Sequence, residues 1–437
     1  MHLPESVRQC VDALERAGFA CYAVGGCVRD CLLGLLPQDY DLCTNALPEQ
    51  IKAVFTDCNL VLAGEKHGTV GVVTDSGVVE ITTFRSEGDY ADNRHPGWVK
   101  FEKSIEADLS RRDFTVNAMA YSPSRGFTDP FGGQEDLKNQ TLRAVGDASA
   151  RFAEDALRIL RGVRFSVRFH LKPELHTMQA MLSKAGLLDY IARERVFDEL
   201  CKLLPLISAE ELLLFAPILA QVIPELRPTM GFAQHSLHHR YDVFTHTAQV
   251  VAACPADLSL RWAALLHDVG KVPTFTMDED GQGHFYGHDR LSADMADEIL
   301  RRLKAPNVLR EETVFLIAHH MMRPEPDKKL LRRHLSKWGA QRLDKLLLLQ
   351  SADLGSKGVP GKPFPFDEIR AVMYEIAAEN SCLTLKDLAV NGHDLMSLGI
   401  FGQDVGRCLN TLLARVLDEE LPNKKSALIA EIRRMHP

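Results

Sequence analysis

The stretch AVGGCVRDCLLGLLPQDYDLCT, Ala23 to Thr44, constrains the fold of this chain more than any other. "CYAVGG" reads as a strand ending in a turn, "CVRDCLLG" as a helix stopped by Gly34, and "QDYDLCT" as the next strand. Side chains alternate along a strand, so Asp39 and Asp41 point the same way. Two carboxylates side by side repel unless something cationic lies between them. Magnesium (Mg2+) suits that place, because it takes oxygen ligands and keeps open positions for phosphate. Two such ions can activate a hydroxyl and stabilise a departing pyrophosphate. Glu80, on the strand "VVEITTF", is the candidate third carboxylate. Gly25 and Gly26 offer backbone N–H groups to a phosphate at the start of a helix, and Arg29 adds a fixed positive fork. No G-K-[ST] follows, so this is not a P-loop. A lone D-x-D is usually a solvated strand end. A Gly-Gly turn, an arginine and a D-x-D within one strand–helix–strand unit is far more specific.

The rest of the head follows the same texture. "GTVGVVTDSGVVEITTF" reads as a hairpin around Asp75-Ser76-Gly77. The polar, Gly- and Pro-punctuated "RSEGDYADNRHPGWVKF" reads as a loop. From about Asp147 the pattern turns helical: "ARFAEDALRILRGVRFSVRF", "ARERVFDELCKLLPL" and "LSLRWAALLHDVGK". At 437 residues, several domains are expected. The boundaries read as a head at 1–145, a helical neck at 146–230, a histidine-rich body at 231–356 and a helical tail at 357–437.

A net charge of −8 means that any nucleic-acid contact must rest on local basic patches. Arg193 and Arg195, and Lys328, Lys329, Arg332 and Arg333, are candidates for contact with RNA phosphates. The ten cysteines include no C-x-x-C pair, so they read as reduced, mostly buried thiols of a cytoplasmic protein. No segment reads as a signal peptide or a membrane span. Monomer and homodimer both remain open.

"GGCVRDCLLGLLPQDYDLCT" resembles the head signature of the class II tRNA nucleotidyltransferases, the CCA-adding enzymes, and of the related bacterial poly(A) polymerases. "RRDFTVNAMA" (Arg111–Ala120) looks like that family's second motif, "DPFGGQEDLKNQTLRAVGD" like its link to the neck, and "EDALRILRGVRF" like its nucleotide-selecting helix. The resemblance spans nearly the whole chain. It implies a polymerase-beta-like α/β head, a mixed sheet with helices, followed by an all-α neck, body and tail. It implies that Arg112 and Asp113 meet the ribose and phosphates of the incoming nucleotide, and that tRNA, CTP and ATP are the partners.

Asp155, Arg158 and Arg161 recur every three residues, with Arg164 continuing the series, so they are expected on one helix face. Carboxylate accepts and guanidinium donates, so Asp155 and Arg158 could bond cytosine or, after a small rotation, adenine. The bland alternative is an ordinary Glu154–Arg158 ion pair. "LAGEKHGTVGVV" (Leu62–Val73) resembles the CCA-adding branch, since the basic "RRFR"-like segment of poly(A) polymerases is missing there. By the same resemblance, the loop Glu87–Pro96, with Asp92 and Arg94, implies that the terminal adenosine is added as well as the cytidines.

The body carries His246 in "DVFTHTAQ", His267 and Asp268 in "ALLHDVGK", His288, His319, His320 and Asp353. Imidazole nitrogen with carboxylate oxygen suits a divalent ion such as Mg2+, Mn2+ or Ni2+. The order H…HD…D resembles the HD phosphohydrolase superfamily. The resemblance implies one metal on His246, His267, Asp268 and Asp353. His288 with His319 or His320 could complete a second. A phosphatase or 2′,3′-cyclic phosphodiesterase activity would follow, with a purely structural body as the alternative. The rival readings for the whole chain are a poly(A) polymerase and a phosphohydrolase whose head only docks RNA.

Overall fold

The structure is a computed structural model that describes residues 1–88, 98–236, 240–359, 364–379 and 381–435. The chain divides into two compact units, Met1–Arg227 and Pro228–Pro437.

The first unit opens with α1 (Glu5–Arg16), which buries Val7, Cys10, Val11 and Leu14 at helical spacing. Then come β1 (Cys21–Val24), α2 (Gly26–Leu32), β2 (Leu42–Thr44), α3 (Pro48–Val54), β3 (Leu60–Val61), β4 (Thr69–Thr74) and β5 (Gly77–Thr83). β4 and β5 form the expected hairpin, closing at Thr74↔Gly77. β6 (Arg85–Gly88) and β7 (Trp98–Phe101) pair antiparallel, Arg85 opposite Phe101. The polar, Gly- and Pro-containing sequence between them hid these short arms from the sequence reading, which expected a loop throughout. The loop residues Asp92 and Arg94 lie outside the described residues. α4 (Ile105–Ser110), β8 (Ala120–Ser122), β9 (Gly126–Thr128), α5 (Gly133–Lys138) and β10 (Thr141–Leu142) complete the head. The seven-stranded sheet runs β3-β4-β5-β2-β1-β8-β9. Only the β2–β5 pair within it is parallel.

This topology explains why a Gly-Gly turn precedes the two aspartates. β1 and β2 are antiparallel, with Ala23 opposite Leu42. One step further, the Val24 N–H donates to the Asp41 carbonyl at 3.0 Å. The turn after β1 and the acidic segment before β2 therefore share one end of the sheet. The β2 strand is shorter than expected. β1 ends at Val24, and Gly25, with a φ of 76°, turns the chain away, so residues before Asp41 have no ladder partner there. Asp39 and Asp41 thus sit on the segment leading into β2, not within it.

The helical part of the first unit consists of α6 (Ala148–Glu154), α7 (Leu157–Phe169), β11 (Lys172–Pro173), α8 (Leu175–Lys184), α9 (Arg193–Leu203), α10 (Ala209–Leu214) and α11 (Ala216–Val222). The expected single helix through Asp155 is broken there. Asp155 is extended (φ −142°, ψ 102°), and its carboxylate accepts the Leu157 N–H at 3.1 Å, which starts α7 afresh. Phe114 ties the head to these helices. It is fully buried, with ring centroids 6.2 Å from Phe152 of α6 and 5.9 Å from Phe165 of α7. Gly162 lets α7 cross closely, since a Cβ there would meet the Phe114 ring at 3.0 Å.

The second unit is helical. It holds α12 (Val243–Ala253), α13 (Leu258–Leu266), α14 (Lys271–Thr274), a small β12–β13 hairpin (Thr276–Met277, Gly283–His284), α15 (His288–Arg302), α16 (Asn307–His319), α17 (Lys328–Trp338), α18 (Ala340–Gly355), α19 (Phe366–Ala378), α20 (Gly392–Ser397), α21 (Gln403–Leu417) and α22 (Lys425–Met435). The "ALLHDVGK" segment is not one helix. α13 stops at Leu266, and His267–Gly270 form a turn that lets Gly270 lie against α15, where a Cβ would meet Ser292 N at 2.8 Å. Among the described residues, no helix is long and apolar enough to cross a membrane.

Phe114→Ala should remove about 3–5 kcal/mol from the first unit, as for other buried aromatic truncations. Urea unfolding followed by far-UV circular dichroism reads it.

Candidate active site and candidate metal centre

The cleft in the first unit begins at the shared end of β1 and β2. It holds a cavity of about 450 Å³ lined by Gly25, Gly26, Asp41, Asp113, Asn117 and Asp155, with Leu157, Phe165 and eight arginines, at 29, 111, 112, 158, 161, 164, 168 and 195. Sequence reasoning named most of these, and the fold brings them together.

Several also make contacts within the protein that the sequence did not show. The Gly25 N–H is not free for a phosphate, because it donates to Met119 O at 3.0 Å. The position needs glycine for two other reasons. Its φ is positive, and an added Cβ would lie 2.8 Å from Arg112 Nη1. Arg29 is buried and faces the protein. It donates to Asp30 at 2.6 and 2.8 Å and to Asn117, and it stacks 4.1 Å over the Phe169 ring. Asp113 is the hub. Its Oδ1 accepts from Phe114 N at 2.9 Å and Asn117 Nδ2 at 3.0 Å, and its Oδ2 pairs with Arg161 at 2.7 Å. Burial works to raise the Asp113 pKa, but Arg161, Asn117 and Arg158 outweigh it and hold it at about 2.

Arg158, Arg161 and Arg164 of α7 each pair with a protein carboxylate. Arg158 pairs with Glu154 at 2.5 Å, which is the ordinary i, i+4 pair, and Arg164 meets buried Glu199 at 2.6 Å. Phe165 lies under three guanidiniums, 4.4 Å from Arg164, 5.1 Å from Arg161 and 5.3 Å from Arg29. Arg112 pairs with fully buried Asp108 at 3.2 Å, and Arg111 with the same carboxylate at 3.0 Å. Asp155 does not share a face of α7 with these arginines, because it sits in the break before the helix. Its partner is Arg195 of α9, at 2.9 Å. Arg195, expected in an RNA-facing patch, is a cleft residue. Asn117, Asp108, Phe165 and Phe169 had no individual signal in the sequence, since their importance lies in what they hold.

The acidic trio is looser. The parallel register Leu42↔Ile81 places Asp41 beside Glu80 when carried back one residue. The Asp41 carboxyl is pushed up by the cleft walls that desolvate it, then by Glu80 and Asp39, with Arg112 opposing. That mutual repulsion among oxygen donors is the condition a hard cation relieves. The three are not gathered as closely as a finished metal cluster. Among the described residues, the groups of three or more ligand atoms within 4.8 Å lie in the second unit alone.

Two such groups lie there, His246–His267–Asp268 and Asp268–His288–His320, sharing Asp268. Asp353 joins the first, 3.1 Å from His246 Nε2. Nδ1 of each of the four histidines faces a backbone carbonyl: Ser356 at 3.3 Å for His246, Ala264 at 2.8 Å for His267, Phe285 at 2.7 Å for His288 and Ile317 at 2.7 Å for His320. A carbonyl can only accept, so Nδ1 donates and Nε2 is the atom each ring turns inward, able to ligate when the ring is neutral. His288 and His320 present Nε2 atoms 3.2 Å apart. His267 Nε2 and Asp268 Oδ2 are buried without a partner in hydrogen-bond geometry. Burial lowers the pKa of His288, and burial with His267 lowers that of His320 to about 4, so both favour the neutral, ligating form. Asp353 and Asp268 are held well below the usual carboxylate range against the burial that would raise them. His246 and His267 act on Asp353, and His267 and Lys271 on Asp268. The expected choice between His319 and His320 falls to His320. His319 turns its Nδ1 to Phe315 O at 2.8 Å and packs on Trp338, because it lies on the last turn of α16 facing α17.

The second basic patch is neutralised within its own unit. Lys328 pairs with Glu379 at 2.5 Å, Lys329 with Asp418 at 3.9 Å, Arg333 with Asp418 at 2.6 Å, and Arg332 with Glu379 at 3.2 Å and with Glu419.

Comparison with known proteins gives these sites a setting. A family described as "Poly A polymerase head domain" matches residues 21–143, and one described as "HD domain" matches 238–354. The CCA-adding enzyme of Levilactobacillus brevis is 35% identical, over 99% of this chain and 98% of its own length. This chain belongs to the CCA-adding enzyme family. The family's member from Streptococcus mutans is 32% identical over 99% of the chain and 98% of its own. A solved structure, the Bacillus stearothermophilus CCA-adding enzyme in complex with CTP, superposes with a TM-score of 0.73 at 30% identity, covering 100% of this chain and 98% of that one. The Thermotoga maritima CCA-adding enzyme complexed with tRNA, at 19% identity and a TM-score of 0.61, shares the fold.

The Asp113 pair sets a pH window. Its pKa is depressed, so its stabilisation is complete above the ordinary aspartate value, about 3.9, and drains as pH falls through about 2. Asp113→Asn should therefore lower stability by about 1–3 kcal/mol. Urea titrations should show that gap constant from pH 5 to 8 and shrinking only below the ordinary aspartate range.

Proposed function

We propose that the chain builds or repairs the CCA end of tRNA, transferring nucleotides from CTP and ATP to the RNA 3′ end without a nucleic-acid template and releasing pyrophosphate. One observation carries this reading: a single cleft joins Asp41 to a bed of arginines and to the Asp155 carboxylate at the start of α7. Triphosphate, sugar and base each need one of those three kinds of group. Residues 1–145 act as the transferase head, 146–230 as the nucleotide-selecting neck, 231–356 as the HD part and 357–437 as the tail.

Asp39, Asp41 and Glu80 form an all-carboxylate donor set suited to Mg2+, which when bound would activate the 3′-hydroxyl and stabilise the leaving pyrophosphate. Arg112 offers the phosphates a guanidinium whose Nε is buried without a hydrogen-bond partner among the described residues. Arg29, stacked and tied to Asp30 and Asn117, fixes the floor of the turn and the position of Gly26. Asp113 orients Arg161, and Glu199 orients Arg164, towards the space the nucleotide fills. Asp155 accepts from the exocyclic amine that cytosine and adenine share, and Arg158 donates to the neighbouring ring nitrogen. The loop at Glu87–Pro96 supports addition of the terminal adenosine as well as both cytidines.

Sequencing the products formed on a trimmed tRNA with CTP and ATP together tests this. The expected product ends in CCA, and Asp41→Ala lowers its formation by about 100- to 1000-fold, the scale of losing a group that stabilises charge in the transition state. Long A-tracts without cytidine would favour a poly(A) polymerase instead.

The inward-facing Nε2 atoms support a second reading, that the HD part holds a divalent ion and acts on phosphate esters. Such an ion would supply Lewis acidity toward the ester. His246, His267, Asp268 and Asp353 would hold it, and His288 and His320 with Asp268 could hold another. Lys271, 2.8 Å from Asp268, stands ready for a phosphate oxygen beside a cavity of about 280 Å³. His267→Ala with Asp268→Ala should abolish metal retention, read by elemental analysis of the purified protein, and any phosphoesterase activity. CCA addition should persist.

A further inference from the structure

Asp155 is not paired with Arg158, the arginine three positions along. Arg158 is occupied by Glu154 at 2.5 Å, by Arg151 O at 2.9 Å and by Arg111 O at 3.1 Å. Arg195 reaches across from α9 instead. Its Nη2 donates to Asp155 Oδ2 at 2.9 Å and its Nη1 to Oδ1 at 3.4 Å, a two-pronged grip that fixes the plane of the carboxylate. The Leu157 N–H adds a third donor, at 3.1 Å to Oδ1. A carboxylate has about four lone-pair positions, so roughly one remains for a ligand.

We propose that Arg195 is a positioning residue for base selection: it presents the remaining acceptor of Asp155 to the exocyclic amine of the incoming base. The proposal rests on reading the cleft as the nucleotide site. Cytosine and adenine carry an amine where uracil and guanine carry a carbonyl. A fixed acceptor bonds the first pair and repels the second, and a site built around a specific hydrogen bond rejects what cannot make it. Without Arg195, two of the three donors are lost and the carboxylate swings about its side-chain torsions. The side chain can then pair with Arg158 or turn from the base. Discrimination should suffer more than turnover. α9 is the right element for this task. It is anchored by buried Val196, Leu200 and Leu203, and Glu199 on the same helix orients Arg164 of the same cleft.

The test uses the full chain on a trimmed tRNA, with kcat/KM measured for CTP, ATP, UTP and GTP. In Arg195→Ala, the preference for CTP over UTP should fall about 10- to 100-fold, the worth of one hydrogen bond to a charged group. UTP and GTP rates should change little. Arg195→Lys, which keeps the charge and loses the fork, should recover part of that preference. Should the alanine variant not fold, the lysine variant decides, and its preference must still fall below the parent's. Equal losses for all four nucleotides, or an unchanged CTP-to-UTP ratio, would overturn the role of Arg195. A parent protein that adds neither cytidine nor adenosine would instead overturn the proposed function.

Discussion

Eight guanidinium groups crowd one cleft, and like charges at that density must be held apart by partners that do not move. The first unit is organised around supplying them. Asp108 is fully buried and takes both Arg111 and Arg112. Asp113 takes Arg161, Glu199 takes Arg164, and the Phe165–Phe169 pair lies beneath Arg29 and Arg168. These partners lie on α4, on the segment after it, on α9 and on α7, so the cleft exists only when head and neck helices are packed together. Phe114, buried between the head and α6 and α7, lies at the centre of that packing.

The acidic side of the cleft depends on sheet register. The antiparallel β1–β2 pair and the parallel β2–β5 pair bring the turn at Gly25, the Asp41 carboxyl and Glu80 to one end of the sheet. A slip of one residue would turn Asp41 to the other face and bury a charge. Burial in the cleft pushes the Asp41 pKa up, and the neighbouring Glu80 and Asp39 carboxylates add to that push. Positive and negative halves of the site therefore have separate structural causes, one in side-chain pairing and one in backbone register.

Much of this was legible in the sequence, for a physical reason. The Gly-Gly turn, the D-x-D and the arginine series are local patterns, and local backbone geometry converts them into shared position. What the sequence hid was long-range. Asp113 reads as a nucleotide ligand by resemblance, and nothing local shows that Phe114, Asn117 and the distant Arg161 also donate to it. Asp155 looks continuous with the helix, yet an aspartate that caps the next turn breaks it. Arg195 lies forty positions from its partner, and no spacing rule connects them. The same holds in the second unit, where adjacent His319 and His320 face opposite ways and only packing against Trp338 separates them. There, one backbone carbonyl behind each ring fixes the direction of four imidazoles, which periodicity cannot show.

The central claim is that the arginine cleft and the Asp39–Asp41–Glu80 end of the sheet form one nucleotide site. A crystal structure with CTP and manganese, located by anomalous scattering, tests it most directly. The account predicts manganese against Asp39 and Asp41, the triphosphate running toward Arg112 and Gly26, and the cytosine edge at Asp155. Manganese confined to the histidine cluster, or CTP bound away from α7, would contradict it.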